Sequence, residues 1–413
     1  AAEVDLTEIY PVLTEIKHAI AHLKSWARPK RVEAPLALLG TSSYIKFEPK
    51  GVCLIISPWN FPFNLTIGPL VSAIAAGNTA MIKPSEMTPH TSAMMERLVK
   101  DLFEENLVAM FQGGIPITQA LLDLPFDHIF FTGSPSVGKI VMKAAAAHLT
   151  SVTLELGGKS PVIVDGDVDI KDAAEKISWG KFINNGQTCV APDYLLVHES
   201  IAKDFTSALI KSTEKQFRGR AKSIEESSDY ARLVNDKHFI RLVEMLDISV
   251  SSGTKVEFGG ESNGTTRYLA PTIVSQVPLN SPLMSEEIFG PILPILTYKN
   301  LEDAISQINK FPKPLALYYF GRSKKNQKSV LHQTSSGGVC INECVLHFNH
   351  ANLPFGGVNN SGIGKSHGRH GFEAFSNEKA VLKQRVGLTS SKFIYPPYTP
   401  SVKRIIDLMV RYF

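Results

Sequence analysis

The chain has 413 residues, 44% apolar and 20% charged, with 43 Lys plus Arg against 39 Asp plus Glu and a net charge of +4. At about 150 residues per domain this leaves room for two or three domains, and the composition excludes wholesale disorder, a collagen-like chain and a coiled-coil rod. No dense basic patch marks a nucleic-acid partner, and Lys324, Lys325 and Lys328 read as a solvated helix face. Four cysteines are too few for a disulfide framework and point to a reducing, cytoplasmic compartment. A membrane span needs about 18 apolar residues. The best stretch, Leu65 to Ala76, is shorter and holds Thr66, Gly68, Pro69 and Ser72, so no integral membrane segment is expected. Glu3, Asp5 and Glu8 replace the basic start and apolar core of a signal peptide.

In chain order, Leu13, Ile16, Ile20 and Leu23 give one helical face close to the start, which reads as a truncated beginning. Val52 to Ser57 reads as a buried strand, Ile67 to Ala76 as a helix stopped by Gly77-Asn78, and Thr79 to Ile82 as a strand ending at Lys83-Pro84. A helix from about Thr91 to Phe103, a strand His128 to Thr132, a helix Ser136 to His148 and strands Val152 to Leu156 and Pro161 to Val164 follow. Beyond Asp165 come a helix from about Ile170 to Ile183, a strand Tyr194 to His198, a helix Ile201 to Lys215 and a polar loop, 216–230. Leu315 to Phe320 and Gly338 to Ile341 are later strands, and Pro354 to Gly371 is a Gly/Asn-rich loop. Arg404 to Val410 reads as a short amphipathic helix docked on the rest of the chain. The alternation implies βαβ units, parallel sheets and an α/β fold.

Five segments suggest chemistry. Gly133-Ser134-Pro135-Ser136-Val137-Gly138 follows a strand and opens a helix, a context that suits a bound phosphate, although an ordinary strand-to-helix turn also uses Gly and Ser. Lys83-Pro84-Ser85-Glu86 puts a Lys and a Glu where a parallel strand ends, able to hydrogen-bond a ribose or simply to pair with each other. Cys189 follows Asn184-Asn185-Gly186-Gln187-Thr188 in a polar loop, unlike Cys53 in its apolar run, which favours a reactive thiol. Glu155 is a charge inside an apolar strand, a usable base if buried and a solvated strand end otherwise. Asn60, in Pro58-Trp59-Asn60-Phe61-Pro62, sits in a rigid turn from which an amide can face an oxyanion. Cys340, Cys344, His347 and His350 lack the paired knuckles of a zinc module. Cys340 reads as core, and Cys344 and His347 as a loop near a pocket; no metal is expected.

Taken together these strings, with Phe131-Thr132-Gly133-Ser134, Leu154-Glu155-Leu156-Gly157-Gly158-Lys159, Glu287-Ile288-Phe289-Gly290-Pro291 and Leu353-Pro354-Phe355-Gly356-Gly357, resemble the aldehyde dehydrogenase superfamily. Cys189 to Tyr194, the His347 segment and Tyr395-Pro396-Pro397-Tyr398 look like its class 3 branch, which includes fatty aldehyde dehydrogenases. The resemblance implies Cys189 as nucleophile, Glu155 as base for the hydrolytic water and Asn60, with the Cys189 amide, as oxyanion donor. It implies NAD, with NADP possible, held by Lys83, Glu86, Gly133, Ser134, Gly138, Glu287 and Phe289. The implied fold is a Rossmann-like cofactor domain (1–156), an α/β catalytic domain (157–345) and a return through 346–413, with 41–50 and part of the region after Lys365 forming a small β oligomerisation arm. The implied activity is oxidation of an aliphatic or aromatic aldehyde by a homodimer, the substrate admitted past Tyr10, Trp59 and Phe348. A CoA-acylating enzyme and a non-redox cysteine esterase are the alternatives; Glu155 argues against the first and the cofactor strings against the second. A catalytically silent homologue does not fit the presence of Cys189, Glu155 and Asn60 together. Asn359 departs from the glycine usual in this branch.

Overall fold

The run Val52–Ile56 is buried at every residue but its first, as the centre of a parallel sheet requires. The structure, a computed structural model, describes residues 2–35, 38, 40–387 and 389–412. Around Val52–Ile56 a six-stranded sheet forms in the order Gly362–Ile363, Ser151–Leu156, His128–Gly133, Val52–Ile56, Thr79–Lys83, Val108–Met110. Every pairing is parallel except that of Gly362–Ile363. The chain builds one side of the sheet first, then crosses over to build the other. Strand order therefore reverses between Val52–Ile56 and His128–Gly133, and ligands of such sheets bind beyond the carboxyl ends of the strands at that point.

Alternate residues pack on opposite faces. Cys53, Ile55, Ile82 and Phe130 meet the helices Tyr10–Trp26, Asn64–Ala75 and Pro89–Leu102. Leu54, Ile56, Ile129 and Phe131 meet Ile115–Leu122 and Pro135–Ala146. A seven-stranded sheet follows in the order Lys255–Phe258, Thr272–Ser275, Ile292–Tyr298, Tyr194–His198, Pro161–Val164, Ala316–Phe320, Gly338–Ile341, parallel apart from its first pair. A separate antiparallel sheet joins Lys30–Val32, Thr41–Pro49 and Ser376–Gln384, running from Ser376 opposite Pro49 to Gln384 opposite Thr41.

One expectation is corrected. The first long helix does not bury the face marked by Leu13 and Ile20, which are 48% and 75% exposed. It buries Val12, Ala19 and Trp26, with Ile16 and Leu23 partly covered, because Trp26 packs on Phe372 and fixes the rotation of the helix. The terminal helix forms, as Pro400–Tyr412; among the described residues it buries no side chain and only partly covers Val402, Ile406 and Met409, lying beside Ser390–Ile394. Among the described residues no helix is long and apolar enough to cross a membrane.

Candidate active site

Cys189 is lifted out of the catalytic-side sheet by a reversal of the chain. Asn184, Asn185 and Gly186 take φ values of +49°, +57° and +72°, conformations that Asn and Gly adopt at least cost. At Gly186 a Cβ would strike the Gly290 carbonyl, so only glycine passes there. Gln187 braces the loop: its Nε2 donates to the carbonyls of Asn184 (3.0 Å) and Arg232 (3.1 Å), and its Oε1 accepts from the Val234 amide (3.0 Å). Asn60 reaches in from the other sheet. Its Nδ2 donates to the Gln187 carbonyl at 3.0 Å, and its own carbonyl accepts from Asn184 Nδ2 at 2.8 Å. One amide hydrogen of Asn60 is thus used to dock against the cysteine loop, which leaves the second for a ligand. Burial, then the nearby carboxyls of Glu155 and Glu287, push the Cys189 thiol well above its ordinary range, so it rests protonated.

Glu155 lies on Ser151–Leu156, next to Thr132 in one neighbouring strand and Gly362 in the other. It is buried, and this pushes its carboxyl up to about 7, against the opposing effects of a hydrogen bond from Ser366 and the charge of Lys365. Ser366 Oγ donates to Glu155 Oε1 and also lies 3.5 Å from the Phe355 carbonyl. Lys365 is itself held by the carbonyls of Gly356 (2.5 Å) and Gly357 (3.2 Å).

The remaining predicted residues of this sheet stand at or just beyond the carboxyl ends of Thr79–Lys83 and His128–Gly133, the strands that flank Val52–Ile56 at the switch point. Lys83 ends its strand buried, donating to Glu86 Oε2 at 2.8 Å and to the Pro84 carbonyl at 2.9 Å. Ser134 caps Pro135–Ala146, accepting from the Val137 amide at 3.4 Å, so that helix's N-terminus lies directly beyond the strand His128–Gly133. Gly133 closes its strand against the Phe131 ring. Gly138 has a different task from ligand contact: a Cβ there would sit 2.7 Å from Leu156 Cδ2, so the glycine lets helix and strand pack closely. Ser57 Oγ and Thr132 Oγ1, on adjacent strand ends, are buried polar atoms without a partner among the described residues. An anion cradle, a Lys–Glu pair and unpaired hydroxyls at a switch point fit a dinucleotide.

Glu287 packs on Gly157, where a Cβ would collide with its carboxylate, and burial, then Asp193, raise its carboxyl to about 8. Phe289, at φ +47°, meets Trp59 edge-on at 5.4 Å between ring centroids. The scaffold behind them went unread in the sequence. Lys159 pairs with Asp193 in the interior and donates to the carbonyls of Leu283 (2.7 Å) and Glu286 (2.9 Å), while Asp193 accepts from the Ile288 amide at 2.9 Å. The signal was available: two charges in otherwise apolar or glycine-rich strings.

On the far side of Cys189 lies a cavity of about 140 Å³ walled by Leu6, Phe61, Leu65, Trp179, Val345 and Phe348. Of the three suggested gatekeepers only Phe348 lines it; Tyr10 is 58% exposed, and Trp59 faces Phe289. Cys340 is buried, with Sγ 3.2 Å from His347 Nδ1, and Cys344 turns inward to the Lys176 carbonyl at 3.1 Å rather than lining a pocket. Among the described residues no three metal-ligating side chains converge.

The aldehyde dehydrogenase family model matches residues 2–381. The chain is 49% identical over 403 residues to the 4,4'-diaponeurosporen-aldehyde dehydrogenase of Staphylococcus aureus, covering 98% of this chain and 86% of that one. It is 46% identical over 398 residues to the dimeric NADP-preferring aldehyde dehydrogenase of Rattus norvegicus, covering 96% and 86%. A solved structure of Staphylococcus aureus AldH in a substrate-bound state superposes with a TM-score of 0.93 at 47% identity, covering 98% of this chain and 87% of that one. The chain belongs to the aldehyde dehydrogenase family, in its class 3 branch, and is an α/β oxidoreductase that converts an aldehyde to its acid with NAD or NADP.

Proposed function

We propose that Cys189 forms the covalent bond to the aldehyde, that Asn60 and the Cys189 amide hold the oxyanion, and that Glu155 activates the water that releases the acid. The observation that carries this reading is the position of Cys189 between an apolar cavity on one side and two buried carboxyls at the switch-point crevice on the other. The thiol gives its proton to a solvent water and the thiolate attacks the carbonyl carbon, giving a thiohemiacetal whose oxyanion meets the spare Asn60 hydrogen. The coenzyme, when bound, supplies the hydride acceptor that turns this adduct into a thioester. Lys83 and Glu86 would hold its adenosine ribose, Ser134 and the helix N-terminus a phosphate, and Glu287 and Phe289 the nicotinamide end. Gly133 and Gly138 serve by leaving room. Glu155 then takes a proton from water, the water oxygen adds to the acyl carbon and Cys189 departs.

The wall of Leu6, Phe61, Leu65, Trp179 and Phe348 favours an apolar aliphatic or aromatic aldehyde. A homodimer joined through the sheet of Lys30–Val32, Thr41–Pro49 and Ser376–Gln384 is supported by exposed Val32 and Leu382 on it and by the relative named as dimeric. Sheet membership supports domain boundaries after 156 and after 345. Four unpaired cysteines support a cytoplasmic location. The test is absorbance from NADH or NADPH on mixing enzyme, coenzyme and decanal or benzaldehyde, with and without CoA. The reading expects acid as product and no need for CoA. A strict CoA requirement, or ester cleavage without any aldehyde oxidation, overturns it.

A further inference from the structure

Glu155 is buried, 5% exposed, and does not line the aldehyde cavity. Each turnover needs one water delivered to it and one proton taken away. Two small cavities lie beside it, divided from the aldehyde cavity by a shared wall of Asn64, Leu65 and Phe348. The inner one, about 20 Å³, is edged by Glu155, Ser366, His367, Asn64, Gly68 and Ser72. The outer one, about 30 Å³, is edged by Asn64, Gly68 and His367 again, and then by Thr14 and Glu15 of the helix Tyr10–Trp26. A cavity needs roughly 10–15 Å³ and two to four polar partners to hold a water, and the inner one offers the Ser366 and Ser72 hydroxyls, the Asn64 amide and Glu155 itself. Glu15 is half-buried, with its Oε1 accepting from the Gly368 amide at 2.7 Å, close to the Ser366–His367 turn.

We propose that the hydrolytic water arrives, and the proton leaves, by this second path: from Glu155 through Ser366 and the Gly68–His367 neck to Glu15 and solvent, separate from the aldehyde cavity. The proposal rests on Glu155 being the base. In the step concerned, water adds its oxygen to the acyl carbon, the carbon–sulfur bond breaks with its electron pair returning to Cys189, and the water's proton goes to Glu155. Ser366 serves as a positioning residue for both states of that carboxyl. It donates to the carboxylate, and once Glu155 is protonated it can accept instead and turn its own hydrogen to the Phe355 carbonyl, 3.5 Å away. The proton passes on through water in the neck.

The path can be narrowed without disturbing the fold. A Cβ at Gly68 meets nothing nearer than Asn64 Oδ1 at 3.7 Å, and the site is inside a helix, where alanine is preferred. Gly68→Ala, Gly68→Val, Ser366→Ala and Glu15→Gln are to be compared in rapid mixing with NAD and decanal, with and without hydroxylamine, a nucleophile able to reach the thioester from the aldehyde side. The expected result is an unchanged first burst of NADH, steady-state turnover lowered several-fold in Gly68→Val and Ser366→Ala, and recovery with hydroxylamine. Steady-state turnover at the wild-type rate in both of those variants overturns the path, as does an equal fall of burst and steady state, or a loss that hydroxylamine does not relieve. Glu155→Gln is the control: if it deacylates normally, the base assignment fails and not the route alone.

Discussion

A carboxyl buried in protein is costly when charged, and Glu155 is kept there nonetheless. Its pKa of about 7 means the native protein holds a proton on it that the unfolded chain, at the ordinary 4.5, has already released. The stability associated with the neutral form is therefore complete below pH 4.5 and lost as pH rises through about 7. The apo Glu155→Gln variant should accordingly match wild type in thermal unfolding near pH 4.5 and exceed it at pH 8, by at most about 3 kcal/mol. Calorimetry at the two pH values checks this; an equal shift at both would show that charge is not the cause. The same titration sets activity with the opposite sign. Deacylation, read as steady-state turnover after the burst, should rise with pH to a plateau above about 7 in wild type. In Glu155→Gln that phase should fall by roughly 10²–10⁴-fold. Lys83 and Glu86 give a further residue-scale expectation. Glu86 faces a 2′-hydroxyl more favourably than a 2′-phosphate, but its 2.8 Å bond to Lys83 already offsets part of its charge. Glu86→Gln should raise the NADP-to-NAD ratio of kcat/KM by about fivefold, the size of one half-exposed charge contact of about 1 kcal/mol. An unchanged ratio would remove Glu86 from ribose recognition. Cys189 and Glu155 stood out in the sequence because each breaks its local pattern. Ser366 did not: one serine in a glycine-rich loop carries no sign that it will meet a carboxyl 211 positions away.

At the scale of elements, the parallel strands were legible because both their faces are buried. Each becomes a short apolar run between turn residues, and Pro161–Val164, Tyr194–His198 and Ala316–Phe320 fall where such runs were read. The strands between 255 and 298 were not, because Lys255–Phe258 is an edge strand with exposed residues and Ile292–Tyr298 is interrupted by Pro294. The rotation of the first helix was misread for a related reason: apolar side chains lie all round it, and only tertiary contact with Phe372 selects the buried face. The element that depends most on a hidden contact is the segment 283–288, tied down by Lys159 and Asp193. Breaking one partner of a buried ion pair costs about 3–5 kcal/mol. Asp193→Asn should lose stability on that scale in denaturant unfolding and raise KM for the coenzyme, since Glu287 and Phe289 ride on the freed segment. A destabilised variant with normal coenzyme KM would separate the pair from the site.

At the scale of the molecule, two sheets bring strand ends from one and a strained loop from the other to the same thiol. Asn60 crosses between them to the Gln187 carbonyl, so the site exists only when both sheets are correctly placed. The third sheet has no such duty, and the proposed second copy of the chain would cover its exposed Leu382 and Val32. Leu382→Glu should shift the protein towards monomer in sedimentation velocity while leaving its circular dichroism unchanged; an unaltered sedimentation coefficient would place the contact elsewhere. The central claim, a thioester on Cys189 resolved by Glu155, has one direct measurement. Glu155→Gln is mixed with NAD and decanal, quenched in acid after the NADH burst, digested and weighed. The account predicts the decanoyl mass on the peptide that contains Cys189, in amount equal to the NADH formed. An NADH burst with no acyl group on that peptide, or with the acyl group on another cysteine, would contradict it.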